Sequence, residues 1–125
     1  MLANQYVLLV EDDPFYSKIC KTKLAKEKIE AHIVGNGNEA LLAVQKLRPA
    51  VILLDLIMPG KNGFETLSAL KSNPETRDIP VVVLSNLSEE EDIKKITDLG
   101  ASGYLLKATV PLQEIVDTVK HYLSV

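Results

Sequence analysis

The sequence predicts an α/β fold: a single doubly wound (βα)₅ domain with a five-stranded parallel sheet and helices on both faces. Three observations carry this expectation. Short apolar runs recur along the chain, and amphipathic stretches with helical spacing separate them. The stronger runs are continuously hydrophobic rather than alternating, as in strands buried on both faces. A chain of 125 residues suits one compact core, so residues 1–125 are taken as one domain.

The first run, residues 6–10, is followed by Asp13 and Pro14, an N-cap with proline at the first helical position. Phe15, Ile19 and Leu24 then mark the apolar face of a helix. Residues 31–34 form a weaker run with His32 inside it, which suits an edge strand. Ala40, Leu41, Val44 and Leu47 give the second helix its face. Residues 50–54 lead into a Pro59-Gly60 turn and a helix marked by Phe64, Leu67 and Leu70. After residues 81–84, Ser88 and Glu91 form a capping box for a helix over 88–99 with Ile93, Ile96 and Leu99, which Gly100 ends. Residues 104–106 and a helix marked by Leu112, Ile115, Val116, Val119 and Leu123 complete the alternation.

Composition narrows the function. With 14 Lys and Arg scattered among 17 Asp and Glu, the net charge is -3 and there is no clustered basic footprint, so direct nucleic-acid binding is not expected. No apolar stretch approaches the roughly 20 residues of a membrane span, and a cytoplasmic protein is expected. Cys20 has no second cysteine to pair with and falls on a helical apolar face, which makes it a small core residue.

In an open parallel sheet, ligands bind outside the carboxyl ends of the strands. Glu11, Asp12 and Asp13 follow the first run, Asp55 the third, Ser85 and Asn86 the fourth, and Lys107 the fifth. Each has a plain structural explanation alone: acids favour a helix N-terminus, and aspartate, serine and lysine are ordinary in turns and at solvated ends. Several strand ends with complementary chemistry are a different matter. Crowded carboxylates repel and raise one another's pKa unless a cation sits among them. Mg²⁺ is suited to hard oxygen ligands, with Mn²⁺ as an alternative. With the ion in place, Asp55 has the chemistry to accept a phosphoryl group while Lys107 stabilises charge on the phosphoryl oxygens.

Residues Val10-Glu11-Asp12-Asp13, the block 54–63 from Leu54-Asp55 through Pro59-Gly60 to Asn62-Gly63, Val82-Val83-Leu84-Ser85 and the stretch from Gly100 to Lys107 resemble the receiver domain of two-component response regulators. The resemblance spans essentially the whole chain and is chemotaxis-regulator-like, which implies strand order 2-1-3-4-5. It implies that Asp55 is the phosphoacceptor. It makes Asp12 a direct Mg²⁺ ligand, Glu11 a ligand through water and the Ile57 main-chain carbonyl a further ligand, with Asp55 completing the set. Ser85 would bond the phosphoryl group, Lys107 would pair with it, and Tyr104 would turn inward when Ser85 moves. Pro59 and Gly63 would shape the loop that carries Asp55. The implied partners are a sensor histidine kinase or histidine phosphotransfer domain and a downstream output protein or domain, the chain being a monomer or a phosphorylation-dependent dimer. It would be a signalling phosphoacceptor that assists its own phosphorylation and dephosphorylation rather than an enzyme with turnover. Helix 88–99, with its thin apolar stripe and acidic first turn, is the expected reporter of the switch.

The sequence departs from the family where Ala108 follows Lys107 in place of the usual proline, which leaves the Lys107–Ala108 bond cis or trans. Asn86 stands where a smaller residue is common and narrows access to the acceptor. Ile57 and Leu87 offer no polar group to align a hydrolytic water, so a long-lived phosphoryl state is expected. Competing readings fit less well. A flavodoxin-type carrier needs a Ser, Thr and Gly-rich loop after the first strand, and a dehalogenase-like phosphatase places its nucleophile there with an acid two positions later. A P-loop enzyme lacks its Gly-rich Lys-Ser/Thr loop here. A degenerate receiver serving only for protein contacts conflicts with the filled site positions. A stand-alone regulator and a receiver from a longer protein both remain open.

Overall fold

The structure, a computed structural model, describes residues 5–57, 62–87 and 89–123. The elements run β1 (Val7–Val10), α1 (Pro14–Lys26), β2 (Ala31–Val34), α2 (Gly37–Lys46), β3 (Val51–Leu54), α3 (Gly63–Ser72), β4 (Val81–Ser85), α4 (Glu90–Asp98), β5 (Gly103–Leu106) and α5 (Leu112–Tyr122). The five parallel strands lie in the order β2-β1-β3-β4-β5. The expected fold and order are both observed.

Alternation along the strands divides the core between two faces. Leu8, Val10, Ile52, Leu54, Val81 and Val83 pack with Ala40, Val44, Leu67, Leu70 and Ile96, from α2, α3 and α4. Val7, Leu9, Val51, Leu53, Val82 and Leu84 pack with Cys20, Leu24, Ile115, Val116 and Val119, from α1 and α5. Strands β1, β3 and β4 are buried throughout, whereas β5 is half-buried at the sheet edge. His32 stacks its ring on Tyr6 at 4.3 Å and bonds Glu30 on the β2 edge.

Three local expectations need correction, the first being that Leu47 lies on the α2 face: it is the C-cap of α2 and is 51% exposed. Helix α1 turns Ser17, Cys20 and Leu24 inward, leaving Phe15 81% and Ile19 50% exposed. The spacing of Phe15, Ile19 and Leu24 is helical, but Leu24 alone of the three belongs to the buried face. At α4 the N-cap is Glu89, with no side-chain cap bond, rather than Ser88. Ser88 and the Pro59-Gly60 turn lie outside the described residues.

Other boundaries follow the sequence. Asp13 caps α1 by accepting from the Phe15 and Tyr16 amides, with Pro14 at the first position. Asn36 and Asn62 cap α2 and α3 by accepting from the Glu39 and Glu65 amides. Gly100, at φ +104°, ends α4: its amide donates to Thr97 and that of Ala101 to Ile96, the paired bonds of a left-handed glycine terminator. No cis peptide bond occurs among the described residues, so the Lys107–Ala108 bond is trans.

Candidate functional site

Register brings the polar residues to one end of the sheet. Val10 lies opposite Leu54 in adjacent strands, and the Asp55 amide donates to the Val10 carbonyl, so Glu11 and Asp55 leave the sheet side by side. Leu54 lies opposite Val83, and Ser85 opposite Leu106, which sets Ser85 and Lys107 beyond the same edge. The Lys107 amide donates to the Ser85 carbonyl at 2.9 Å.

Glu11, Asp12 and Asp55 each offer a carboxylate oxygen, and these oxygens lie within 4.8 Å of one another. Glu11 and Asp55 are buried, at 3% and 7% exposure, whereas Asp12 is exposed. Such a hard-oxygen cluster fits a divalent cation. The structure adds something the sequence did not supply. Lys107 Nζ sits 2.5 Å from Glu11 Oε1 and 3.6 Å from Asp55 Oδ2, so a protein cation already offsets part of the carboxylate charge. Lys107 is thus one such cation, and the cluster still offers three carboxylate oxygens to a divalent ion.

The remaining atoms of the pair are held as well. Glu11 Oε2 accepts from the Asp13 amide at 3.0 Å, and Asp55 Oδ1 from the Ile57 amide at 3.2 Å. Burial raises the Glu11 pKa above its ordinary value, although the Lys107 hydrogen bond and the Asp13 amide pull it down. Burial works against the charge on Lys107, but Glu11 and then Asp55 outweigh it and raise the ammonium's pKa. Ser85 is fully buried, its Oγ accepting a long bond from the Leu87 amide at 3.5 Å. The half-buried Tyr104 donates its hydroxyl to the Ser85 carbonyl at 3.2 Å.

Residues 7–120 match the family described as the response regulator receiver domain. The chain belongs to that family. Over 117 residues it is 33% identical to the DNA-binding response regulator MtrA of Mycolicibacterium smegmatis, covering 94% of this chain and 50% of MtrA. The chain thus spans about half the length of that relative. The Mn²⁺-bound form of response regulator Rcp1 superposes with a TM-score of 0.85 at 30% identity, covering 96% of this chain and 95% of that one. The phosphorylated cyanobacterial phytochrome response regulator RcpA gives a TM-score of 0.81 at 34% identity, covering 95% and 91%.

As a receiver domain the chain takes a signalling role in two-component systems, whose response regulators work with histidine kinases and output domains. Among the described residues, no helix is long and apolar enough to cross a membrane.

Of the sequence-predicted residues, the structure gathers Glu11, Asp12, Asp55 and Lys107 by direct proximity, and links Ser85 to Tyr104 through the Ser85 carbonyl. Ile57 reaches the site through its amide, while its side chain is 61% exposed. Sequence reasoning missed Tyr16, whose ring centroid lies 4.5 Å from Lys107 Nζ. The signal was available: Tyr16 precedes the buried Cys20 by four residues, one helical turn on the same face.

Proposed function

We propose that the chain, residues 1–125 as one receiver domain, is a phosphoacceptor switch that takes a phosphoryl group from a partner phosphohistidine onto Asp55 in a Mg²⁺-dependent reaction. The observation that carries this reading is the carboxylate cluster of Glu11, Asp12 and Asp55 with Lys107 beside Asp55. The Mn²⁺-bound Rcp1 and phosphorylated RcpA support it by similarity.

Asp12, Asp55 and the Ile57 carbonyl would hold the ion directly and Glu11 through water, since both Glu11 oxygens already accept hydrogen bonds. The ion, Mg²⁺ or Mn²⁺, would offset charge on the phosphoryl oxygens. An Asp55 carboxylate oxygen attacks phosphorus, a P–O bond forms as the P–N bond breaks, and the departing imidazole nitrogen keeps the electron pair and takes a proton from solvent water. The Ile57 amide fixes the carboxylate plane, and Lys107 turns from Glu11 toward the added oxygens. Ser85 bonds one of them. Its movement alters the carbonyl that receives the Tyr104 hydroxyl, and the change reaches the surface of α4, β5 and α5 that an output protein or domain reads. The phosphodonor is a sensor histidine kinase or phosphotransfer domain in the cytoplasm, and the chain works as a monomer or a phosphorylation-dependent dimer.

Adding acetyl phosphate and Mg²⁺ tests the reading. Labelling of the wild type that disappears in Asp55→Ala and with excess chelator is expected; equal labelling of Asp55→Ala would sink it. Apolar Ile57 and Leu87 also predict slow loss of the label. Ile57→Asn and Leu87→Glu should shorten its lifetime, and a wild type that loses label faster than both would contradict this part.

A further inference from the structure

We propose that Tyr16 is a positioning residue for Lys107, its ring forming the seat that keeps the ammonium beside Asp55 when Glu11 engages a metal. This rests on the phosphoacceptor reading above.

Four contacts close a circuit around the site. Glu11 Oε1 accepts from Lys107, and Glu11 Oε2 from the Asp13 amide. Asp13 Oδ1 accepts from the Tyr16 amide at 3.4 Å, and the Tyr16 ring lies under Lys107 Nζ at 4.5 Å. The capped first turn of α1 thereby fixes the ring relative to the acids that Lys107 serves. Packing supplies a second anchor, because Tyr16 lies against the core shared by α1 and α5.

The contacts of Lys107 respond differently to a cation. Positive charge beside Glu11, Asp12 and Asp55 competes with the ammonium for carboxylate oxygens, so the Glu11 and Asp55 contacts weaken when the site is loaded. A neutral aromatic face has no such competitor among hard cations held by oxygen. The Tyr16 hydroxyl makes no hydrogen bond to Lys107, Glu11 or Asp55. It is buried and faces the Cys20 side chain, away from Lys107 and the acids, and burial, then Cys20, raises its pKa. The ring, not the hydroxyl, is therefore the functional part. Lys107 itself is followed by Ala108 in a trans turn, in which the Thr109 and Val110 amides donate to the Leu106 carbonyl. Those bonds fix the backbone and leave the long side chain to be held by its terminal contacts.

A double-mutant cycle on the whole chain tests the seat, reading the initial rate of Mg²⁺-dependent labelling by acetyl phosphate and, separately, Mg²⁺ affinity by calorimetry. Tyr16→Leu should slow labelling about three- to tenfold while the Mg²⁺ Kd moves less than about twofold, and Tyr16→Phe should restore the rate. In a Lys107→Met background, Tyr16→Leu should have no further effect on the rate. Tyr16→Met, checked by thermal melting, replaces Tyr16→Leu if the latter does not fold. A wild-type rate in Tyr16→Leu, an equal loss in Tyr16→Phe, or an undiminished effect in Lys107→Met would overturn the proposal while leaving the phosphoacceptor reading intact. Wild type that takes no label, or Asp55→Ala that takes it equally, removes that reading and the seat with it.

Discussion

Helices α1 and α4 both start where a strand delivers site residues, yet they are anchored in opposite ways. Helix α1 has a capping aspartate whose own amide is held by Glu11, proline at its first position, and three buried residues. Helix α4 starts at an uncapped Glu89, places Glu90, Glu91 and Asp92 in its first turn and buries Ile96 alone. Phe64 and Lys95 add a cation–π contact at 4.4 Å between α3 and α4, on the protein surface. One side of the site thus has a capped and well-buried helix, and the other a helix with fewer anchors, of the kind expected at the low end of local stability. The proposed switch would use both, with a phosphoryl group on Asp55 shifting α4 against a frame that does not yield.

The largest effect should come from the close packing behind Asp55, which belongs to neither helix. Gly63, the first residue of α3, donates its amide to the Leu56 carbonyl directly behind Asp55. A Cβ there would fall 2.3 Å from Leu56 Cα and 2.6 Å from the Asp55 carbonyl oxygen, both backbone atoms without freedom to move aside. Gly63→Ala should therefore cost about 4 kcal/mol or prevent folding, at the upper end of single-substitution effects. Chemical denaturation measures this. A loss below about 1 kcal/mol would mean that the Asp55 corner is as yielding as the α4 corner.

Next comes the anchor of α4. Ile96→Ala removes its single buried side chain, at a cost of about 2 to 3 kcal/mol. The loss should appear in hydrogen exchange as collapsed protection over 90–98, with 14–26 unchanged. Even in the wild type, α4 amides should exchange faster than those of α1, and beryllofluoride with Mg²⁺ should alter 85–107 more than 14–26. Equal protection of the two helices, or no change over 85–107, would remove the distinction between them.

What the sequence disclosed follows the same division. The strands were legible because runs such as Val51-Ile52-Leu53-Leu54 leave no polar face to turn outward, and strand-end residues inherit their position from the register. Glu11, Asp12, Asp55 and Lys107 were legible for that reason: each is the first or second residue past an apolar run. Side-chain pairing was not. Whether Lys107 meets Glu11 or Asp55 depends on which way a long, flexible chain leans across three strands, and no local pattern records it. The face of α1 misled for a related reason. Serine and cysteine are small enough to lie against the sheet, whereas Phe15 and Ile19, which looked like core residues, point outward. At α4 the motif Ser88 to Glu91 matched a capping box, but the helix begins one residue later, at a terminus with little burial to fix it.

The smallest effect should come from giving α4 the kind of cap that α1 has. Glu89 already has the extended backbone of an N-cap, at φ -69° and ψ 140°, close to the φ -79° and ψ 111° of Asp13. The two positions differ mainly in side-chain length. The Asp13 carboxylate reaches the amides two and three residues on, and glutamate, one methylene longer, caps helices poorly. Glu89→Asp should close that bond, keep the favourable negative charge at the helix N-terminus and stabilise α4 by about 0.5 to 1 kcal/mol. Protection over 90–98 should rise, and the same beryllofluoride concentration should produce a smaller change there, because a firmer α4 resists displacement. Higher protection with an undiminished response would show that the weak cap is incidental to the proposed switch, and that any displacement of α4 depends on its sparse burial alone.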